Sequence, residues 1–461
     1  MGSKPILRVS EQHCFLFLPF ALLILPFALF PLPFIYPDIF QDKQSFAIIR
    51  FVHRAQSREA WDRSQRKCNL LKKKSEEKRP GRTIPSIECF IDTGFDLIPL
   101  DPGSAGFSIY GEQAGGTFLP GVVSATYGQY LGMVSCLLSQ NSFALLKDLL
   151  ARQHKPTPEV KTVSRIELIS EKHGALYNVS RLRVHFANDV RSFAVNSAFS
   201  EEQQAFLQVE AKLLSDLHAS FGLPYLPAPF ISASAPGLTV LIAEWFENHH
   251  EFHLSLNPSG IPAINIWKRG GKPQFLDATK SLELYAQASR ILTLYLDHRS
   301  FSQIYPWHHA AGDFIIDESQ SPPSLRLITV RGYRPLLAKE SDCADKMLGS
   351  LHFFVNLTIR MRIDRLDGTG ELAWAVPQCL PGVIRGFVEG LGTRRGNEKL
   401  PKAVEIFSLF LDFSPDERLA FAEVVAADGR VEATEANFLS ARLPTHVDEL
   451  SSALKNFNFS F

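Results

Sequence analysis

Between residues 164 and 391 the spacing of apolar positions changes several times, and each change marks an element. Residues 165–169, 179–186 and 191–199 alternate apolar and polar side chains, the two-residue period of half-buried strands. Asn188-Asp189 supplies a turn before the third. Ser200 followed by Gln203 forms a capping box, and Phe206, Val209, Leu213 and Leu217 recur at helical spacing, which predicts a helix with those four side chains inward. Gly222 and Pro224 stop it. Residues 238–243 predict another strand, which leads through Glu244-Trp245-Phe246 into a polar loop. A long helix is expected over 279–298, with Leu282, Ala286, Ser289, Leu292 and Leu296 on one face. Residues 304–316 read I-Y-P-W-H-H-A-A-G-D-F-I-I, a His-rich loop that closes on Gly312-Asp313 and enters an apolar strand. Residues 324–333, S-L-R-L-I-T-V-R-G-Y, give a second apolar strand, and helices follow around 345–363 and 380–391.

The flanks read differently. Residues 85–160 form a region of their own, turn-rich over 100–123 and helical over 124–153, where Tyr127, Leu131, Val134, Leu138, Leu145 and Leu149 keep near-helical spacing. Its glycines do not fit G-x-x-x-x-G-K-[ST], so they mark turns rather than a phosphate cradle. Pro156 and Pro158 set a boundary. The tail from 399 is helical: Ser414-Pro415-Asp416-Glu417 starts one helix, Asp428-Gly429 ends it, and 434–443 predicts another.

Composition alters this picture mainly at the N-terminus. The 461 residues are 45% hydrophobic and 21% charged, enough apolar content for two or three packed domains. Net charge is zero, but residues 50–84 carry 12 Lys/Arg against 4 Asp/Glu, so the body from Pro85 onward is acidic, which argues against a specific nucleic-acid partner. The basic run reads as a solvated linker, with contact to phosphate or anionic lipid as the alternative. The six cysteines show no C-x-x-C spacing and signal neither zinc nor a disulfide framework, and the expectation is of free thiols in a reducing, cytoplasmic setting. Residues 14–36 hold 23 positions without a charge, long enough to span a bilayer, yet they include Pro19, Pro26, Pro31 and Pro33. Charges on both flanks favour the inside, which conflicts. Three readings stay open: a membrane anchor on a cytoplasmic body, sequence upstream of the true start, and a Phe-rich interfacial segment touching membrane.

The order of strands, helix, strand, linker, long helix, loop, strand pair and helices over 164–391 resembles the kinase-like phosphotransferases of the aminoglycoside and choline kinase type. The resemblance implies an α+β fold of two lobes, a small antiparallel sheet with one helix and then a mainly helical lobe, over 164–398. Residues 1–84 and 85–160 would precede it, and a helical tail, 399–461, would follow. ATP and Mg²⁺ are the cofactors it implies. In such families a glycine-rich turn covers the nucleotide phosphates; here E-K-H-G-A-L-Y offers Gly174 alone. The third strand, S-F-A-V-N-S-A-F, puts Asn196 where the family has its phosphate-binding lysine, and Glu210 matches the helix glutamate. Glu244, at the entry to the linker, joins the cofactor-binding positions. Counting back from Asp313 at the family's Asn position places His308 at the catalytic Asp, and Asp313 could hold magnesium. Thr329 stands at the metal-binding Asp, and Arg331 at the glycine that follows.

Three charged groups are therefore replaced together. Losing one electrostatic group typically costs ~10²–10³ in rate, so the resemblance implies little ordinary kinase activity. The expectation is a degenerate kinase-like protein that binds a nucleotide, small molecule or protein partner. The alternatives are an active phosphotransferase using His308 and Asp313, and a membrane-tethered scaffold. Elsewhere, E-N-H-H-E-F-H, holding His249, His250 and His253, is not H-E-x-x-H and reads as a polar hinge. His308-His309 beside Asp313 is a second metal or hydrolytic candidate. The stretch A-E-V-V-A-A-D-G-R-V-E-A-T-E-A-N-F-L is similar to the helical hairpin of tellurite-resistance TerB-like domains, and a plain helix-turn-helix is its simpler reading.

Overall fold

Alternation such as Leu182-x-Val184 and Phe193-x-Val195 needs a different neighbour on each face of a sheet. The computed structural model supplies both. It describes residues 85–100, 127–153, 162–173, 177–268, 270, 272–310, 312–335, 343–368, 370–393, 401–427 and 433–458. Strands β1 (Ile87–Asp92), β2 (Leu97–Leu100), β3 (Arg165–His173), β4 (Asn178–His185), β5 (Val190–Ala198), β6 (Pro229–Ala235) and β7 (Leu238–Glu244) form one sheet in the order β2-β1-β3-β4-β5-β7-β6. All neighbours are antiparallel except β1 and β3, which run parallel with Ile87 opposite Ile166. The sheet is thus larger than expected and mixed rather than antiparallel. Residues 87–100 build its edge, within the stretch that the sequence set apart.

Helix α1 (Tyr127–Arg152) covers one face, where Leu131, Val134 and Leu146 meet Leu182, Val184, Phe193 and Val195 in a common core. It breaks at Gln140–Phe143, where Asn141, Ser142 and Phe143 take positive φ. Helix α2 (Glu201–Phe221) packs on the other face, where Thr239 Oγ1 donates to Gln204 Oε1 at 3.2 Å. Its start is the expected capping box and its end the expected glycine, Gly222 at φ 60°. Its buried stripe differs: Leu207, Glu210, Ala211, Leu214 and Leu217 point inward. Phe206 and Val209 stay 42% and 46% exposed. Apolar residues occupy most of this helix's circumference, so spacing alone cannot choose the buried third; the partners of Glu210 do.

A second sheet, β10-β9-β8-β12-β13, contains β8 (His250–Leu256), β9 (Pro262–Trp267), β10 (Gln274–Phe275), β12 (Phe314–Asp317) and β13 (Ser324–Leu327), while the short β11 (Gln303–Ile304) pairs outside it with Tyr333–Arg334. The polar hinge expected after Phe246 is therefore a strand hairpin. Its polar residues are inward ones: Asn265 Nδ2 donates to Ser255 Oγ at 3.2 Å, and Ser255 donates to Asp367.

Helix α3 (Ala278–Leu294) ends earlier than the predicted 298, and α4 (Cys343–Arg360) and α5 (Leu380–Thr393) follow. Gly382, Gly386 and Gly390 bring α5 so close to α3 that a Cβ on Gly386 would lie 2.0 Å from the Ala286 carbonyl oxygen. The tail is α6 (Ala403–Asp412), α7 (Pro415–Ala427) and α8 (Ala433–Lys455). Helix α8 passes through Pro444 because its buried stripe, Leu443, Val447, Leu450 and Leu454, continues beyond it. The chain is mixed α and β. Among the described residues no helix is long and apolar enough to cross a membrane. Residues 14–36, the basic run at 50–84 and the turn Asp428-Gly429 lie outside the described residues.

Candidate functional site

Gly312, at φ +84°, turns the chain sharply before β12 and leaves Asp313 at the strand's entry, 2% exposed. The segment after β13 runs beside it, held by the Ile328 N–H donating to the Asp313 carbonyl at 2.8 Å. That placement aims Arg331 at the carboxylate. Arg331 Nη1 donates to Asp313 Oδ2 at 2.6 Å and Nη2 donates to Oδ1 at 2.5 Å, a parallel two-bond fork. The His308 backbone N–H adds a third bond to Oδ2 at 2.8 Å. Burial opposes the charge on Arg331, but the Asp313 carboxylate outweighs it and the guanidinium pKa is raised.

Glu210 enters the same site from α2, 5% exposed. Its Oε1 accepts from the Val330 N–H at 2.9 Å and its Oε2 accepts from the Tyr177 hydroxyl. Burial pushes its pKa up to about 7, against the two hydrogen bonds and Arg331, which pull it down. Burial, and Glu210 itself, push the Tyr177 hydroxyl well up. One carboxylate thus links the β3–β4 turn, α2 and the segment after β13. Asp313 and Arg331 lie close enough to bias the charges of both Tyr177 and Glu210.

The structure brings Glu210, Asp313 and Arg331 together and places the other sequence candidates around them. His308 meets Asp313 through its backbone amide. Thr329 is half-buried in the segment that carries Val330 and Arg331. Asn196 lies on β5 opposite Val179 and Leu241, and the hydroxyl donating to Glu210 is that of Tyr177. Glu244 accepts from the Ala228 N–H at 3.3 Å and braces the approach to β6. Gly174 lies outside the described residues.

Two residues escaped the sequence reading. Tyr177 closes the turn E-K-H-G-A-L-Y, and an aromatic with a hydroxyl at that position can reach beneath its sheet to a helix carboxylate. Arg181 on β4 lies opposite Ala194, pairs with Glu171 at 2.8 Å and stacks 5.0 Å above Trp245. Nothing in its spacing separates it from a solvated strand arginine.

Apart from His308, the histidines offered as metal candidates lie outside this cluster of contacts. His309 is fully buried, 3.4 Å from Asp364, and burial lowers its pKa to about 4. His253, read as part of a hinge, is buried on β8 with its ring 4.0 Å from Trp267. Among the described residues no group of three His, Cys, Asp or Glu could hold a metal ion.

Segments that flank the two sheets also touch. The Leu327 N–H donates to the Tyr225 carbonyl at 3.0 Å, Arg326 stacks 5.5 Å from Phe246, and the Gly270 N–H donates to the Gly94 carbonyl at 2.5 Å. Both oxygens of Asp313 are engaged by cationic or amide donors, so a hard cation would have to displace a guanidinium to reach them. Neither the models of known protein families nor the curated proteins contain a match to this chain.

Proposed function

We propose that the chain is a kinase-like protein that binds a ligand and does not transfer phosphate. The Arg331–Asp313 fork carries this reading. In the resembling phosphotransferases the Asp313 position faces magnesium and the Arg331 position is glycine; here a fixed guanidinium occupies the cation's place. The loss of the strand lysine fits the same reading, since the Tyr177 hydroxyl now holds Glu210. Among the described residues, the charge of Arg331 is engaged by Asp313 and that of Arg181 by Glu171, which leaves neither guanidinium to a phosphate. Arg181 also stacks on Trp245, so it occupies an aromatic face that a planar base could otherwise use. That favours a protein partner over a nucleotide.

Thermal unfolding with and without Mg²⁺-ATP tests this. A ligand present at a hundred times its Kd would add about 2.7 kcal/mol of stability, so its binding could not pass unnoticed. The midpoint is expected to stay unchanged. A rise that disappears in Asp313→Asn would overturn the reading. ATP turnover lost in both His308→Ala and Asp313→Ala would establish an active phosphotransferase instead.

A further inference from the structure

While the Asp313 site is filled by its own side chains, an open groove lies elsewhere, between α2 and the sheet edge at β6. It holds about 360 Å³ and is walled by Gln208, Lys212 and Ser215 from the helix, Phe230 and Ser232 from the strand, and Arg152 from the end of α1. Strand β6 ends the seven-stranded sheet, with β7 as its neighbour there. Natural edges are blunted by charge, proline or a bulge. Here Pro229 and a bulge protect only the start of the strand; Ile231–Ala235 reads I-S-A-S-A, with no charge, no proline and small side chains that leave room for another chain. The edge also shows one hydrogen-bonding group met by a side chain: the Phe230 carbonyl accepts from Arg152 Nη1 at 2.9 Å. A backbone amide could make the same bond.

The charge on the walls selects the occupant. Two cations line the groove and, among the described residues, no carboxylate does. Among the described residues the carboxylate partner of each cation is local and exposed, Arg152 with Asp148 at 2.9 Å and Lys212 with Asp216 at 2.5 Å, both one helical turn away. Such pairs are worth a few tenths of a kcal/mol, so an incoming carboxylate can exchange with them.

We propose that this groove docks an extended, acidic segment of a partner protein, which adds to β6 as a further strand and sets its carboxylates on Lys212 and Arg152. The inference deepens the partner half of the reading above. Because the groove lies apart from Asp313, its failure would leave the response to Mg²⁺-ATP unchanged, and the two can fail separately.

The test selects binders to the immobilised full chain from a random decapeptide library, then measures the best peptide by fluorescence anisotropy. Selected peptides should be rich in Asp, Glu and β-branched residues and poor in proline. Lys212→Glu and Arg152→Glu should each weaken binding about tenfold. Methylating alternate backbone nitrogens of the peptide should abolish binding, which leaves the protein's own fold untouched. The proposal is overturned by a selection that enriches nothing, by peptides that bind both charge-reversal variants equally well, or by full affinity after N-methylation. It is also overturned if the chain proves to be a dimer paired through β6, since the occupant would then be a second copy.

Discussion

Asp313 has one strong partner, and that partner fixes its chemistry. Breaking a buried ion pair from one side leaves an uncompensated charge and typically costs about 3–5 kcal/mol. Arg331 keeps 27% of its side chain in contact with solvent against 3% for Asp313, so Arg331→Ala is expected near the lower bound, about 3 kcal/mol by urea denaturation. A loss under about 1 kcal/mol would mean that the fork does not hold in solution. Glu210 makes a different prediction. Its ordinary value is 4.5 and its folded value about 7, chiefly because it is buried. Between those values the folded chain keeps a proton that the unfolded chain has lost. Stability therefore falls as pH rises through that window and levels off above it. Glu210→Gln removes this fall, so the variant should gain on the wild type between pH 5 and pH 8. Buried His309 and His446, both with lowered pKa values, titrate alike in the two proteins and cancel from the comparison. Parallel stability profiles would contradict the placement of Glu210. At this scale the sequence exposed the acidic residues but not their partners. Asp313 stood out from its loop, whereas its pairing with Arg331 depends on how the segment after β13 runs, which no local pattern encodes.

Elements were legible wherever local chemistry sets them. The α2 cap and stop were readable because Ser200, Gln203 and Gly222 act within one turn of the chain. Its buried face was not, since the choice between Phe206/Val209 and Leu207/Glu210 is made by the sheet and by Tyr177. The β8–β9 hairpin was missed because His253, Ser255 and Asn265 are polar residues turned inward, which breaks the usual link between polarity and loops. The contact between α3 and α5 was missed because glycines read as weak helix formers rather than as room for a neighbour. Gly386→Ala should cost about 2–3 kcal/mol as its new methyl meets the Ala286 backbone. Gly392→Ala, in the same helix with nothing within 4 Å, should be neutral or stabilising. Equal thermal midpoints for the two variants would show that the helices are not in such close contact.

Across the molecule, the order of elements over 164–391 was readable apart from the β8–β9 hairpin, and the size of the first sheet was not. A strand pair at 87–100 joins β3 in parallel over a separation of many residues, and such long-range pairing leaves little trace in local spacing. The same long-range order brings Glu210 on α2 to the much later Asp313 and Arg331, which flank one strand pair and neutralise each other there. The central claim is that Asp313 is unavailable to a divalent cation. Electron paramagnetic resonance of Mn²⁺, titrated with ATP in the presence and absence of the protein, tests it most directly. The account predicts that adding protein leaves the free Mn²⁺ signal where ATP alone sets it; a protein-dependent loss of signal that vanishes in Asp313→Asn would contradict it.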